Sequence, residues 1–451
     1  MELTGVSLPE APPPSLPSIE PEWAQQLRSD PRLLVDIAEA VRGPFHVLFP
    51  ARFRDNVMAF NEAMAAAGVE GQVCYGKKAN RSGCWLSACV ESNAGVDVAS
   101  APELVHSLAC GVRGEDLVVT GAAKSGELLW LAARHRCLIA VDALDELERV
   151  IALAHTAGPV RLLLRILPEI NSYSRFGFNS AELGRALQRC VQVRGQVFME
   201  GFSFHLNGYE VAPRAALAAE LVGRCVAARA QGLVASSISI GGGFAVSYLE
   251  AETWQRFNQD YRDSWFHNNK TFNQFYPYHQ SPTGADMLAE ILSSPAAGAY
   301  HDVGEAFIET GTRLILEPGR ALLDKSGLTV FPVQGFKKRG DYGIVTVAGL
   351  SASLSEQWKG SEYLPDPMLW PSVGVGDPVN ACVGGSSCLE YDMLSWRKVP
   401  FPRPPSCGDL LVYPNTAGYQ MDKNETRFHQ LPLPARIVVA LDEGRFRWWL
   451  D

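Results

Sequence analysis

Residues 72–142 read QVCYGKKANRSGCWLSACVESNAGVDVASAPELVHSLACGVRGEDLVVTGAAKSGELLWLAARHRCLIAVD, and this stretch decides the fold. Short apolar runs such as Gln72–Gly76 and Leu117–Thr120 alternate with amphipathic stretches such as Pro102–Cys110. The apolar runs have the length of buried strands, and the amphipathic stretches have the length of helices. This alternation predicts a parallel sheet that helices cover on its faces.

The same rhythm continues to about residue 323. The predicted strands are Gln72–Gly76, Val96–Ser100, Leu117–Thr120, Cys137–Asp142, Val160–Ile166, Phe198–Leu206, Ser236–Ile240 and Leu314–Leu316. Eight β/α units over about 250 residues are typical of a closed α/β barrel of the TIM type. The rhythm alone leaves an open, doubly wound sheet as the alternative.

The composition and apolar pattern of the chain predict three regions. Residues 1–22 are rich in proline and predict a mobile tail. We assign residues 45–323 to the barrel, with an aromatic-rich insertion at about 250–310 that forms either a lid over a pocket or an outer layer or dimer contact. Residues 23–44 and 324–451 are assigned to a second, mostly antiparallel β domain, because helical patterns almost vanish after residue 323.

Composition excludes several classes of protein. The 40 Lys and Arg against 49 Asp and Glu give a net charge of −9, and the longest basic run is Lys337–Arg339. This argues against a nucleic-acid groove or a polybasic membrane patch. No apolar stretch approaches the ~18 residues of a membrane span, and the first residues lack the pattern of a secretory signal. Ten scattered cysteines without a CxxC pair predict reduced thiols, no metal site and a cytoplasmic enzyme.

Candidate catalytic residues follow the predicted strands, because active sites of such barrels lie at the carboxyl ends of the strands. The first strand leads to Lys78, whose pKa desolvation would lower, making it a nucleophilic amine. The sixth strand ends at His205, and the seventh leads to Gly241–Gly243, where backbone N–H groups can approach an anion. The eighth strand leads to Glu317–Arg320, a carboxylate and a cation that suit a ring nitrogen and a phosphate.

Each of these signals also has an ordinary structural interpretation when it is taken alone. Lys78 could be an exposed lysine, and His205 a hydrogen-bonded core histidine. The three glycines could form a tight turn, and Glu317–Arg320 could hold a loop salt bridge. Their order on one architecture is what gives them weight.

In that order the motifs resemble a known family. The resembling segments are Tyr75-x-x-Lys78-Ala79-Asn80, Gly95–Ser100, Thr120-Gly121-x-x-Lys124, Arg165, Ser174–Gly177, Phe204-His205, Gly241–Phe244, Glu317–Arg320, Cys388-x-x-x-Asp392 and Ala417–Tyr419. From Gly43 to about His429 the chain resembles the fold-type III pyridoxal-phosphate enzymes of the ornithine/diaminopimelate decarboxylase family.

The resemblance implies pyridoxal 5′-phosphate as the cofactor. Lys78 would form the internal aldimine, while its neighbour Lys77 points the other way. His205 would stack on the pyridine ring, and Glu317 would pair with the ring nitrogen. The remaining implied cofactor contacts are Asp97 and Arg165 beneath the ring, and Gly241, Gly242, Gly243, Gly319, Arg320 and Tyr419 around the phosphate.

The resemblance also implies a homodimer with shared active sites and a small amino-acid substrate. Cys388 from the partner subunit would return a proton to the substrate carbon after CO2 leaves. Asp392 would lie near the distal group of the substrate, with Glu390 and Arg320 as further substrate contacts.

The chain departs from the family pattern at several positions. Family members usually carry His-Val-Gly-Ser where this chain has His205-Leu206-Asn207-Gly208, and Phe-Asn where it has Phe428-His429. Family members usually have an acidic residue directly after the cysteine, where this chain has Leu389. They commonly have a lysine before Phe-Gly, where this chain has Arg175. These changes leave open whether the substrate is a basic or diamino acid or a derivative from a biosynthetic pathway.

The sequence therefore predicts a pyridoxal-phosphate-dependent decarboxylase acting on an L- or D-amino acid. One alternative is an amino-acid racemase of the related barrel fold, which needs a second base from the β domain. Another is a catalytically silent binding protein of the same fold. Such relatives usually lose the aldimine lysine or the phosphate contacts, whereas Lys78, Glu317 and Tyr419 are present.

Overall fold

A computed structural model describes residues 12–30, 32–296, 298–356 and 360–451. The chain opens with helices α1 (Glu22–Ser29) and α2 (Leu33–Val41), strand β1 (Phe45–Leu48) and helix α3 (Pro50–Ala66). Eight parallel strands then close into a barrel: β2 (Gly71–Gly76), β3 (Gly95–Val98), β4 (Leu117–Val119), β5 (Leu138–Val141), β6 (Val160–Arg165), β7 (Val197–Ser203), β8 (Ser237–Ser239) and β9 (Arg313–Leu316). The predicted closed barrel is confirmed, because β2 pairs with β9 and no edge remains between them.

Helices connect the barrel strands on the outside. They are α4 (Gly83–Glu91), α5 (Ala101–Ala109), α6 (Gly126–Arg134), α7 (Leu144–Ala157), α8 (Ser180–Gln192), α9 (Val211–Ala230), α10 (Ala251–Asp260), α11 (Gly284–Ser293) and α12 (Val303–Thr310). Several begin at a side chain that accepts a hydrogen bond from the first turn: Ser100 caps α5, Ser125 caps α6 and Asn179 caps α8 in a capping box. These caps satisfy N–H groups that the helix itself cannot pair.

The second layer is a nine-stranded, mostly antiparallel sheet, as predicted. Its C-terminal strands are β10 (Gly327–Arg339), β11 (Tyr342–Val347), β12 (Met368–Trp370), β13 (Val379–Gly384), β14 (Met393–Phe401), β15 (Leu410–Tyr413), β16 (Ala435–Asp442) and β17 (Arg445–Leu450). The main order is β14-β13-β11-β10-β1-β16-β17, and β15 pairs with β10 and β12. The strands β12, β14 and β17 were not predicted, because β12 is only three residues long and charged or proline residues interrupt the apolar pattern of β14 and β17.

Strand β1 corrects the predicted boundary of the barrel. Phe45–Leu48 runs antiparallel to β10 and parallel to β16, with Phe45 opposite both Val330 and Ala435. The assignment of residues 45 onward to the barrel is therefore wrong at its first strand. All four residues of β1 are buried, so their sequence looks the same as that of an interior barrel strand.

The start of the described chain corrects a second expectation. Leu16 is fully buried, its backbone N–H and the Ser15 hydroxyl both donate to the Asp366 carboxylate at 2.7 Å, and Arg397 donates to the Pro14 carbonyl. A mobile tail does not make such contacts, so the prediction fails for residues 14–16. The first part of that predicted tail, residues 1–11, lies outside the described residues.

The region predicted as an insertion consists of two parts. Its last helices, α11 and α12, pack on α3 and α9 and so belong to the barrel wall. The preceding aromatic segment buries Phe257, Trp265, Phe266, Tyr276 and Tyr278, and Phe266 pairs with Arg397 of β14. In this structure the segment is a packed aromatic layer between the barrel and the sheet. None of the helices in the described ranges is long and apolar enough to cross a membrane.

Candidate active site

A cavity of about 710 Å³ opens at the carboxyl ends of the barrel strands. The predicted residues that line it are Lys78, His205, Gly242, Gly243, Glu317, Gly319, Arg320 and Tyr419, and the rest of its wall comes from Leu206–Tyr209 and Phe244. Tyr419 comes from the segment after β15, so both layers of the fold contribute. The structure thus brings together residues that are separated by up to several hundred positions in the sequence.

Lys78 lies on a short 3-10 turn, Lys77–Ala79, directly after β2. Its side chain is half exposed, and its Nζ lies 3.8 Å from Asp97 Oδ2 at the end of the neighbouring strand β3. The Asp97 charge raises the pKa of Lys78, so the expectation that desolvation would lower this pKa is wrong. Lys77 is buried in the opposite direction, with its Nζ 3.0 Å from His106 Nδ1 on α5.

Asp97 and Arg165 lie near the floor of the cavity. Asp97 is buried and accepts a 2.6 Å hydrogen bond from the Thr120 hydroxyl after β4. The Arg165 guanidinium lies 3.8 Å from Asp142 Oδ1 and 4.3 Å over the ring of Phe176. These contacts hold Asp97 in place on β3, the strand next to β2, and Arg165 at the end of β6.

Glu317 is a buried carboxyl group at the end of β9. Its Oε1 accepts a 2.6 Å hydrogen bond from the Ser239 hydroxyl of β8. Burial, followed by the nearby Asp97 charge, raises the pKa of Glu317 to about 7. The group is therefore poised between its charged and neutral forms, and a cationic ring nitrogen placed beside it would favour the charged form.

His205 is held as a neutral ring. Burial, and then the charges of Lys78 and two arginines, lower the pKa of His205 to about 3. Its Nδ1 accepts a long hydrogen bond, 3.4 Å, from the Gly242 N–H. A neutral, flat ring beside the cavity can stack on an aromatic ligand without adding a charge.

The glycine run approaches its neighbours more closely than any other residue type could. A Cβ at Gly242 would lie 2.6 Å from the Glu317 carbonyl oxygen, and one at Gly243 would lie 2.3 Å from Arg214 Nη2. Gly241 also has a φ of +68°, a backbone conformation that L side chains rarely adopt. The sequence run therefore has a structural cause, and it leaves bare backbone at the cavity wall.

Arg320 and Tyr419 close the cavity on the side of the sheet. Arg320 Nη1 donates to Tyr248 Oη at 2.7 Å, and its Nη2 lies 3.6 Å from Glu356 Oε1. Its guanidinium lies 4.2 Å over the Tyr276 ring. Tyr419 donates its backbone N–H to the Ala79 carbonyl at 2.8 Å, which ties the sheet domain to the turn that carries Lys78.

The other predicted residues lie elsewhere in the chain. Cys388 and Glu390 are exposed, and neither they nor Asp392 are among the described residues that line the cavity. Asp392 is buried, and its oxygens accept hydrogen bonds from the backbone N–H groups of Ser351 and Ser387 at 2.7 and 3.1 Å. Its carboxylate thus shapes the loop that presents Cys388, and the contact of Asp392 with a distal substrate group stays a prediction.

Two residues of the site were not predicted. Ser239 donates a hydrogen bond to Glu317, and its position two residues before the glycine run was the available signal. Arg214 is fully buried at the start of α9 and donates to the carbonyls of Leu206 and Gly208 at 3.0 and 2.7 Å. Burial lowers the pKa of Arg214 to about 10. Arg214 is one of three arginines in an alanine-rich helix, so the sequence offered only a weak signal.

The chain is similar to several known proteins. The pattern of the family described as pyridoxal-dependent decarboxylase, pyridoxal binding domain, matches residues 51–282. An uncharacterized protein, y4yA, of Sinorhizobium fredii is 36% identical over 92% of this chain and 91% of its own length. The diaminopimelate decarboxylase of Bacillus subtilis is 25% identical over 90% of this chain and 89% of its own length.

Solved structures show the same fold. The diaminopimelate decarboxylase of M. jannaschii in complex with L-lysine has a TM-score of 0.73 at 17% identity, covering 92% of this chain and 91% of its own. The lysine/ornithine decarboxylase of Vibrio vulnificus in complex with putrescine has a TM-score of 0.69 at 18% identity, covering 91% and 98%.

The geometry of the cavity suits pyridoxal phosphate. An amine, Lys78, and a buried carboxyl group, Glu317, line the cavity together with the neutral ring of His205. The bare backbone of the glycine run lies beside His205 and next to the buried cation of Arg214, and it suits a phosphate. These groups together suit the aldehyde-bearing ring and the phosphate of the cofactor.

Replacing Gly242 with alanine should weaken pyridoxal-phosphate binding by roughly tenfold or more, because overpacking of this kind costs about 1–3 kcal/mol. A titration of cofactor-free protein, followed by absorbance, measures the affinity. Gly184→Ala is the matched control: Gly184 lies in α8 with open space around its Cβ position, so affinity should not change. Equal affinities for both variants would contradict the steric argument.

The pKa of Glu317 predicts how the stability of the cofactor-free protein depends on pH. Because folding raises this pKa, the neutral form is favoured, and stability is lost as pH rises from about 4.5 through 7. Relative to Glu317→Gln, the wild type should lose up to about 3 kcal/mol by pH 8. Melting temperatures at pH 5 and pH 8 measure the difference, with exposed Glu390→Gln as the control; parallel curves for wild type and Glu317→Gln would contradict this prediction.

Proposed function

The chain belongs to the pyridoxal-dependent decarboxylase family, and we propose that it removes the α-carboxylate of an amino acid as a homodimer, with Lys78 as the cofactor lysine and Cys388 of the partner subunit as the proton donor. The observation that carries this proposal is the convergence of Lys78, His205 and Glu317 on one cavity that Gly242 and Gly243 of the glycine run also line. Family membership itself makes the protein a pyridoxal-phosphate enzyme.

The cofactor supplies a protonated pyridine ring that accepts the electron pair left when a carboxylate departs. Glu317 would keep that ring protonated, since its carboxylate form gains a cationic partner in a buried place. His205 would pack against the ring face and keep water from it. Asp97 would hold Lys78 charged and in position until the cofactor or substrate amine takes part.

The glycine run, Tyr419 and Arg214 would fix the phosphate end. Arg214 acts through the backbone: it holds the carbonyls of Leu206 and Gly208, so the segment after β7 keeps its shape beside the glycines. Because Gly208 stands where family members usually carry a serine, backbone groups of this segment would have to make the phosphate contacts. Arg320 packs behind them, with its charge balanced by Glu356.

The dimer is supported by the separation of the predicted groups within one chain. Cys388 is exposed and lies outside the cavity of its own chain, while the family resemblance gives it a part in catalysis. A second copy that places its Cys388 loop over this cavity reconciles the two. The neighbouring exposed side chains Tyr391 and Phe428 give that loop an apolar surface for such a contact.

The substrate is an amino acid with a free α-amino group and α-carboxylate. The decarboxylases reported above are described as acting on diaminopimelate, lysine or ornithine, but this chain has Leu389 at the position that is usually acidic after the cysteine. An uncharged side chain there would not hold a distal ammonium group. We therefore favour a substrate whose distal amine is absent or masked over a free diamino acid.

Borohydride trapping tests the cofactor lysine. The wild type with pyridoxal phosphate should show a visible absorbance band that borohydride removes, with the pyridoxyl mass on the peptide that contains Lys78. Lys78→Ala should lose this adduct, whereas Lys77→Ala is the matched control and should keep it. Retention of the adduct in Lys78→Ala at another lysine would contradict the assignment.

The reaction is tested on the same preparation with a panel of free and N-modified α-amino acids. CO2 release and the mass of the product are followed. Release of CO2 with the corresponding amine supports the proposal. Loss of substrate chirality without CO2 release would instead favour a racemase. Neither reaction with the cofactor bound at Lys78 would contradict decarboxylation of these amino acids.

Co-expression of Lys78→Ala with Cys388→Ala tests the shared site. Each variant alone should lose activity, but a mixed dimer regains one site with both groups, so random pairing should restore about a quarter of wild-type activity. No recovery in a preparation shown to contain mixed dimers would mean that Lys78 and Cys388 do not act in a shared site.

A further inference from the structure

A second reactive group, His429 of the segment between β15 and β16, lies beside the loop that carries Cys388. The Cys388 Sγ lies 3.3 Å from His429 Nε2, and the Cys388 backbone N–H donates to the same nitrogen at 3.5 Å. Two donors thus point at one imidazole nitrogen, which places that nitrogen in the role of acceptor. Family members usually carry asparagine at position 429, and an asparagine side chain neither accepts nor delivers a proton near neutral pH.

We propose that His429 is a positioning and proton-transfer residue for Cys388, returning a solvent proton to the cysteine sulfur after each turnover. This rests on the proposed function of Cys388 as proton donor. Decarboxylation consumes one proton: the S–H bond of Cys388 breaks as a C–H bond forms at the substrate α-carbon. His429 then takes a proton from water and gives it to the sulfur, so the thiol is restored and one solvent proton is consumed.

The surroundings of the pair support this role. Asp392 accepts hydrogen bonds from the N–H groups of Ser351 and Ser387, and these bonds hold the loop that carries the Cys388 sulfur in a fixed conformation. The Phe428 ring lies edge-on to the His429 ring with centroids 4.3 Å apart. His429 has a φ of +57°, a conformation that asparagine and histidine adopt more readily than most residues. The backbone therefore accepts either residue, and only the chemistry of the side chain differs.

His429 is also exposed to solvent. A group that recovers protons from water must reach water when the dimer has formed, and an imidazole at the rim of the contact does so while its Nε2 faces the sulfur. Cys407 is the other exposed cysteine of the described chain, so it provides an internal reference for thiol reactivity in the same molecule.

Alkylation of the purified holoenzyme tests the pair without reference to activity. Iodoacetamide labelling is followed by peptide mass at Cys388 and Cys407 between pH 6 and pH 9. A thiol that can pass its proton to an imidazole reacts faster near neutral pH. In His429→Asn we expect Cys388 to react roughly fivefold or more slowly at pH 7, with Cys407 unchanged.

His301→Asn is the matched control, because His301 is an exposed histidine beside Asp302; both cysteines should react as in the wild type. Unchanged labelling of Cys388 in folded His429→Asn would overturn the proposal. So would a normal kcat and a normal kcat–pH profile in His429→Asn once labelling has changed, since the relay would then serve no step of turnover.

The two proposals can fail separately. If the wild type binds cofactor at Lys78 but decarboxylates nothing, the proposed function fails, and with it the relay's part in turnover; the labelling ratio still decides whether His429 and Cys388 form a proton-sharing pair. If decarboxylation is found but the labelling ratio is unchanged, only the role of His429 is overturned. The expected result is slower labelling together with a lower kcat that falls further as pH rises.

Discussion

The pairing of the first and last barrel strands is the constraint on which the rest of the structure depends. β2 and β9 lie side by side, with Val73 opposite Leu316, and the Gly76 N–H donates to the Pro318 carbonyl at 3.0 Å. Closure in this register places the turn with Lys78 against the segment with Glu317. A shift of one residue would turn each side chain to the other face of the sheet and separate the amine from the carboxyl group.

Charge balance is the second condition of the site. Two buried or nearly buried carboxyl groups, Asp97 and Glu317, face the cationic Lys78 and Arg165 around one cavity. The Asp97 charge changes the pKa of both neighbouring groups: it raises the pKa of Lys78, and it adds to the effect of burial in raising the pKa of Glu317. Burying Glu317 in its ionised form therefore costs free energy, and a cationic ring bound beside it would offset this cost.

The sheet domain contributes residues to the site in addition to packing on the barrel. It supplies Tyr419, whose backbone N–H bonds the carbonyl of Ala79 beside Lys78, and the loop with Cys388, which is exposed and is not among the residues that line the cavity. The aromatic layer from Phe257 to Tyr278 joins the two parts, and Tyr276 packs on the guanidinium of Arg320. Its buried side chains argue that this segment orients the sheet on the barrel, which is a different role from a lid that opens and closes.

The sequence by itself determined the eight-fold alternation, the β domain and the groups at the strand ends, because apolar periodicity and glycine or charge at a strand end are local properties. It favoured a closed barrel over an open sheet, and the pairing of β2 with β9 decided between them. It could not place Phe45–Leu48, since a strand buried on both faces reads alike in a barrel and in a sheet. It could not give the pKa of Lys78, which depends on Asp97 across a strand pair, nor the role of Arg214 in an ordinary helix. Only the tertiary structure decided these, and only it brought His429 to Cys388, because electrostatic and hydrogen-bond partners are set by distance in space between residues that lie far apart in the chain.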